Sequence, residues 1–191
     1  MTTTVSVGAK LTQIRESRQL SVGQLAERSA LAEELIQQIE GGDFIPSLTP
    51  LIKLGRALGV RLGTFLDDTE HLGPIINRKG QLVNAVRFAG KSQASSGELD
   101  FHALAQGKSG RSMEPFLIDI LPGTDQDHPL STHEGEEFMY VLCGRIEVCY
   151  GKDQHRLEEG DSIYLDSIVP HHVHAFGDVP ARILAVVYAP F

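Results

Sequence analysis

Two histidines and one glutamate in the second half of the chain have the residue types and spacing of a metal site. His133 and Glu137 are four residues apart, so a straight strand would separate them by about 13 Å, too far to share one ion. Gly135 lies between them and allows the chain to fold back, and His171 follows Pro170 further along. Two imidazoles and one carboxylate form a facial set that suits Fe(II), Mn, Ni or Zn with open positions. The alternative is that both histidines only form hydrogen bonds within the protein.

Composition restricts the kinds of protein that could carry such a site. The chain has 191 residues, is 41% hydrophobic and 22% charged, and has a net charge of −8, which excludes a disordered chain and a polycation. Its apolar runs are too short for a membrane span, and its first residues lack a signal-peptide pattern. Cys143 and Cys149 have neither a disulfide framework nor a CxxC spacing. These features predict a cytoplasmic protein with no membrane partner.

The hydrophobic pattern changes near residue 70, and this change predicts two domains. Before it, apolar residues recur at helical spacing, whereas after it short runs rich in Val, Ile, Tyr and Phe alternate with glycine turns. We predict a two-domain α + all-β protein, with about five helices over residues 8–66, a linker over 67–75 and a β domain over 76–191. Residues 1–66 carry a net charge of +1 and the remainder −9, so any contact with DNA belongs to the first domain.

Local signals divide the helical domain into short helices. Ser21 is a predicted N-cap, and Gln24 three residues later completes a capping-box pattern. The third helix is predicted over residues 32–40, where Gly41 and Gly42 end it, and the fourth over 50–58. Because so tight a turn joins the second helix to the third, the pair is predicted to form a helix-turn-helix unit.

The helical domain resembles the xenobiotic-response-element (XRE) type of helix-turn-helix domain, which is related to phage repressors. The resemblance is carried by Ile14-Arg15, residues 20–26 (LSVGQLA), Ile39-Glu40-Gly41-Gly42, residues 46–48 (PSL) and residues 54–60 (LGRALGV). It implies an ion pair between Arg15 and Glu40 and a role in binding double-stranded operator DNA. A net charge of +1 attracts phosphates weakly, so we predict a homodimer, with the edges of the barrel's sheets as its surface.

The predicted DNA-contacting set lies around the helix-turn-helix. Gln37 and Gln38 are suited to base contacts, and Arg18 and Arg28 to phosphate contacts. The remaining members of the predicted set are Ser21, Gln24, Glu33 and Glu34. The two glutamates depart from the family pattern; each could accept from cytosine N4 or only complement the helix dipole. The alternative is a helix-turn-helix kept as a dimerising or lid-forming scaffold.

The β domain resembles a cupin, a double-stranded β-helix or jelly-roll barrel. The resemblance is carried by two motifs, within residues 122–144 and 160–171. It implies a metal set of His-x-His, Glu and a later His, so that His133, Glu137 and His171 remain as ligands. Ser131 occupies the place of the missing first histidine, and His128 is a candidate substitute.

The whole chain resembles the helix-turn-helix cupin regulators, in which the barrel senses a small metabolite. Residues 110–116 are similar to the segment before the barrel in that branch, and the predicted ligand pocket contains Arg111, Ser131, Tyr140 and Tyr164. The alternative is a mononuclear non-haem iron oxygenase resembling the phosphonate epoxidases. Against it, Gln19 is near the position of a catalytic lysine in those enzymes, and Phe101 or His102 near the position of their tyrosines.

Overall fold

The computed structural model describes residues 6–44, 46–66, 73–78, 86–87, 99–108, 111–123 and 130–190. The chain divides into two compact units near residue 75, one helical and one built of strands. The segment Gln106–Ser112 groups with the helical unit. No helix in the described part of the chain is long and apolar enough to cross a membrane.

The described residues of the first unit form five helices, as the hydrophobic spacing predicted. They are α1 (Val7–Ser17), α2 (Val22–Ser29), α3 (Glu33–Gly41), α4 (Leu48–Leu58) and α5 (Gly63–Leu66). Helix α4 begins two residues earlier than predicted, after the N-cap Ser47. Pro50 therefore lies in the first turn, where the missing N–H would have no intrahelical acceptor. The buried core of this unit includes Leu25, Ile36, Leu51 and Phe65.

Capping interactions set the turn between α2 and α3. The Gln24 amide donates to the Ser21 hydroxyl oxygen and the Ser21 amide to Gln24 Oε1, which confirms the predicted capping box. Ala30 then takes a left-handed conformation with φ of 53° and reverses the chain before α3. Helix α3 ends at Gly42, whose φ of 79° favours glycine.

The part of the second unit that the structure describes consists of antiparallel strands in two sheets. The strands are β1 (Val86–Arg87), β2 (Leu99–Ala103), β3 (Met113–Ile120), β4 (Glu136–Cys143), β5 (Arg145–Tyr150), β6 (Asp153–Glu158), β7 (Ser162–Asp166), β8 (His171–Ala175) and β9 (Ala181–Tyr188). One sheet has the order β1-β2-β3-β9-β4-β7 and the other β6-β5-β8. The core is made by alternate residues of the strands, among them Phe116, Val141, Ile146, Val148 and Ile183.

Candidate functional site

An isolated antiparallel bridge between Ser131 and His171, the first residue of β8, brings His133 near His171. The Ser131 amide donates to the His171 carbonyl at 2.9 Å, and the His171 amide donates back to Ser131 at 2.9 Å. The His133 amide donates to the Ser167 carbonyl, and the Ser167 amide to the Gly135 carbonyl. The segment before β4 and the segment before β8 are thereby held side by side at the N-terminal ends of these strands.

Gly135 makes the turn that places His133 beside Glu137. Its φ is +117°, and a Cβ there would lie 1.9 Å from the carbonyl oxygen of Tyr188. Any side chain would therefore be strained and would collide with the backbone of β9. The fold-back expected at this glycine is present, since His133 Nε2 lies 2.8 Å from Glu137 Oε1.

The structure brings His133, Glu137 and His171 together as one triad in the interior of the β unit. The His171 Nε2 lies 3.4 Å from the same Glu137 Oε1, and one ligand atom from each residue lies within 4.8 Å of the others. The three residues are 5%, 7% and 5% exposed. Because Glu137 belongs to one sheet and His171 to the other, the triad joins the inner faces of both sheets.

Backbone carbonyls orient both imidazoles of the triad. The Nδ1 of His133 lies 3.1 Å from the Glu134 carbonyl oxygen, and the Nδ1 of His171 lies 2.8 Å from that of Val169. A carbonyl oxygen can only accept, so each Nδ1 carries a proton and each Nε2 faces the carboxylate. Metal-binding histidines are oriented in this way, with the outer nitrogen donating and the inner one directed at the ion. The triad therefore fits a divalent cation.

The charge state of the triad also suits a cation. Burial alone would raise the pKa of Glu137, but hydrogen bonds from His133 and His171 outweigh it and lower the pKa to about 2. Burial lowers the pKa of His171, whereas the Glu137 carboxylate and the Val169 carbonyl raise it above its ordinary value overall. Glu137 is therefore an anion at neutral pH, and a cation bound at the triad would take the place of the protons that the two Nε2 atoms present to it.

Ser167 is part of the site and was missed by the sequence reasoning. Its side chain is fully buried, and its hydroxyl donates to Glu137 Oε1 at 3.3 Å. The residue lies inside the second cupin-like motif, four positions before His171. Its position in that motif is the one sequence feature that could have drawn attention to it. Its contact with Glu137, 30 residues away, depends on strand pairing and is not visible in the sequence.

Two residues of the predicted ligand pocket, Ser131 and Arg111, lie in different units of the structure. Ser131 is beside the triad, and its hydroxyl donates to the His171 carbonyl at 3.2 Å. Arg111 lies in the segment that groups with the helical unit, and its Nη1 donates to the Lys108 carbonyl at 2.7 Å. The structure does not place Arg111 among the strands that carry the triad. His128 lies outside the described residues.

Tyr140 and Tyr164 do not line the interior, which corrects their assignment as pocket walls. Glu137, Met139 and Val141 are the buried residues of β4, so Tyr140, which lies between Met139 and Val141, turns outward. Tyr164 is directly opposite Phe138 and shares that outward face. Its hydroxyl donates to Glu136 Oε2 at 2.6 Å.

The helical unit contains the ion pair that the family resemblance implies. Arg15 Nε donates to Glu40 Oε1 at 2.7 Å and Nη2 to Oε2 at 2.9 Å, while Nη1 donates to the Leu20 carbonyl. Both side chains are only 12% exposed. The pair ties α1 to the end of α3 and offsets the carboxylate that Glu40 places near a helix C-terminus.

The predicted DNA-contacting residues lie on exposed positions of α2, α3 and the end of α1. Gln37 and Gln38 are exposed on α3, and Arg18 and Arg28 are exposed near the ends of α1 and α2. Ser21 and Gln24 are exposed as well, although their side chains close the capping box. Glu33 and Glu34 occupy the first turn of α3, where carboxylates complement the helix dipole.

The fold and the site together define a class. A helical unit with a helix-turn-helix precedes a β unit whose inner faces carry the triad, and residues 116–187 match the family model for the Cupin domain. The β unit is therefore a cupin domain, and the chain has the domain organisation of the helix-turn-helix regulators with a cupin domain.

The chain is similar to individual known proteins over most of its length. The HTH-type transcriptional regulator PuuR of Escherichia coli is 24% identical over 184 residues, covering 95% of this chain and 92% of the relative. The (S)-2-hydroxypropylphosphonic acid epoxidase of Streptomyces wedmorensis is 28% identical over 165 residues, or 77% and 76% of the two chains. The crystal structure of an HTH_3 family transcriptional regulator from Vibrio cholerae has the same fold, with a TM-score of 0.70, 22% identity and coverage of 98% and 97%.

Proposed function

We propose that this chain is a cytoplasmic DNA-binding transcriptional regulator whose cupin domain senses a small metabolite. The observation that carries the proposal is the buried triad of His133, Glu137 and His171 on a chain that also has an intact helix-turn-helix. A few oriented polar groups within an apolar interior are typical of a small-molecule site. Similarity to regulators over nearly the full chain supports the same conclusion.

The triad would hold a divalent cation of the Zn, Fe, Ni or Mn type. When bound, the cation supplies a Lewis-acidic docking point for an anionic group of the effector. The residues of the chain supply the rest: Glu137 balances the charge, Ser167 hydrogen-bonds the carboxylate, and the two backbone carbonyls keep each imidazole turned inward. Binding in this domain then shifts the population of the DNA-binding conformation.

Alanine substitutions of two glutamines and two arginines at the helix-turn-helix test the proposed DNA binding. Gln37→Ala and Gln38→Ala are expected to change the preferred base at one position by about 1–3 kcal/mol, because amides form bidentate contacts with adenine. Arg18→Ala and Arg28→Ala are expected to weaken binding to all sequences and to reduce the salt slope by about 1 each. The measurement is operator selection followed by titration at several salt concentrations.

Gln13→Ala is the matched control for these variants, since Gln13 is an exposed amide on α1 outside the helix-turn-helix. It is expected to bind DNA like the parent protein. If all four variants also bind like the parent, the helix-turn-helix is a scaffold and the DNA-binding part of the proposal is wrong.

A homodimer is the expected assembly, and the surface proposed for it is now the outer face of the six-stranded sheet in place of the sheet edges. Its outer face exposes Met113, Tyr140, Tyr164 and Tyr188, which lie on one face because of the strand register. Several exposed large apolar or aromatic side chains on one face of a sheet are typical of an isologous interface. In a dimer, the second helix of each helix-turn-helix, α3, would lie one DNA turn from its copy, roughly 34 Å, on a palindromic site.

Glutamate substitutions on this face are expected to break the dimer. Tyr140→Glu with Tyr164→Glu should convert a dimer at micromolar concentration into a monomer, because two carboxylates would be buried without partners. Sedimentation velocity with and without operator DNA measures the change. Gln154→Glu, an exposed position of the other sheet, is the control and should remain dimeric. A parent protein that is monomeric on operator DNA would contradict the assembly.

A second candidate function is supported by the triad and by the similarity to the Streptomyces epoxidase. Two histidines and a carboxylate form the set found in non-haem iron oxygenases. Against this function, Phe101 is buried against Phe116, and His102 pairs with Asp119 at 3.2 Å. Oxygen consumption by the Fe(II)-loaded protein, screened against small phosphonates, distinguishes an oxygenase from a sensor.

A further inference from the structure

The outer face of the three-stranded sheet holds a second group of ligand-type side chains. Glu147 on β5 is directly opposite His174 on β8, and Cys149 is directly opposite His172. The four side chains form a two-by-two patch, because residues two apart on a strand lie on the same face. Ligand atoms of Glu147, Cys149 and His174 lie within 4.8 Å of one another. We refer to these three residues as the outer cluster.

The outer cluster is separate from the triad although both use strand β8. His171 faces the interior with Glu137, and the alternation of the strand turns His172 and His174 to the opposite face. The rings of His172 and His174 stack with centroids 5.6 Å apart and an interplanar angle of 27°. An ion bound at the outer cluster would share no ligand with the triad.

Glu147 is a buried carboxylate on the outside of the sheet. The residue is 8% exposed, and its Oε2 accepts from Arg156 Nε at 2.9 Å. The guanidinium of Arg156 is itself held over the ring of Phe176, 4.1 Å from its centroid. The second oxygen, Oε1, lies 3.5 Å from His174 Nε2. One carboxylate oxygen is therefore held by Arg156 while the other faces the imidazole and thiol.

We propose that the outer cluster binds a divalent cation of the Zn²⁺ class through Cys149, His174 and Glu147. A thiolate, an imidazole and a carboxylate are the donors that Zn²⁺ accepts, whereas Mg²⁺ and Ca²⁺ take oxygen ligands. Three donors leave the fourth tetrahedral position to water or to His172, the nearest imidazole on the same face. The proposal is independent of the regulator assignment.

The hydrogen bond from Arg156 suits this ion, and binding requires the Cys149 thiol to lose its proton. Arg156 fixes the carboxylate as outer hydrogen-bond partners do at metal sites, so that Oε1 is directed at the cluster. Cys149 is partly buried, and burial and the nearby Glu147 raise the pKa of its thiol. Cation binding therefore displaces the thiol proton to solvent, and the ligands of the ion are then a thiolate, an imidazole and the Arg156-paired carboxylate of Glu147.

Cobalt(II) is the probe that separates the two sites. The outer cluster contains a thiolate and the triad contains only nitrogen and oxygen donors, so only the outer cluster produces a sulfur-to-cobalt charge-transfer band in the near ultraviolet. Titration of the reduced full-length protein with Co²⁺ is expected to produce this band, and added Zn²⁺ is expected to remove it. Cys149→Ser should lose the band, and His174→Gln should weaken Co²⁺ binding at least tenfold.

Cys143→Ser is the matched control, because Cys143 is the other cysteine of the chain and lies on β4. It is expected to keep the band, as is His133→Ala, which alters only the triad. Far-ultraviolet circular dichroism checks that each variant is folded. A parent protein without the band, or a band that survives Cys149→Ser and disappears with Cys143→Ser, would overturn the proposal. Neither result would bear on DNA binding or on the triad.

Discussion

Replacing His133 by alanine is expected to abolish the response of operator binding to the effector and to leave the DNA affinity itself intact. The residue lies in the cupin domain, within 2.8 Å of Glu137, and belongs to a different compact unit from α2 and α3. Its loss removes one imidazole of the triad and leaves Glu137 with fewer hydrogen bonds. Cation affinity should fall by more than the roughly 10–100-fold that loss of an outer-shell partner costs.

Manganese(II) measures this effect without interference from thiolates, since Mn²⁺ prefers oxygen and nitrogen donors. Paramagnetic resonance of Mn²⁺ titrated into parent and variant gives the change in affinity, and operator titration gives the response. His155→Ala is the matched control, because His155 is an exposed histidine on β6 of the same domain. The sensor assignment would be contradicted if a small molecule that changes operator binding by the parent protein changed it equally in His133→Ala.

Removing either partner of the Arg15–Glu40 pair is expected to destabilise the helical unit by on the order of 3–5 kcal/mol. Both side chains are 12% exposed and joined by two hydrogen bonds, so a single substitution leaves the other charge buried without its partner. Arg15→Met and Glu40→Gln should each lower the free energy of unfolding in urea. The double variant should be less destabilised than the sum of the two, because no unpaired charge remains.

The ion pair between Arg182 and Asp119 on the β unit is a control, because it has similar hydrogen-bond geometry but is more exposed to solvent. Its two hydrogen bonds are 2.5 and 2.9 Å, but the side chains are 47% and 28% exposed. Arg182→Gln is expected to cost no more than about 1 kcal/mol, because solvent screens an exposed pair. Equal losses from the two pairs would show that burial does not set the strength of the first.

The sequence by itself determined the elements whose causes are local. The capping box at Ser21, the end of α3 at Gly42 and the change from helical to strand spacing near residue 70 are all present in the structure. Each depends on residues within a few positions of one another, where propensity and hydrogen bonding act without tertiary contacts. The three triad residues were also predicted: His133 and Glu137 because Gly135 allows the chain to fold back between them, and His171 from its place after Pro170 and from the cupin resemblance.

Only the tertiary structure decided which side of each strand faces the interior. Alternation shows that Tyr140 and Met139 lie on opposite faces of β4, but not which face is buried, since both are large and apolar. The outer cluster is a second case, because its members come together only through the register of β5 and β8. The hydrogen bond from Ser167 to Glu137 and the grouping of Arg111 with the helical unit likewise depend on contacts between distant segments. Contacts between distant segments are set by strand pairing and packing of the whole chain, and spacing along the sequence does not contain them.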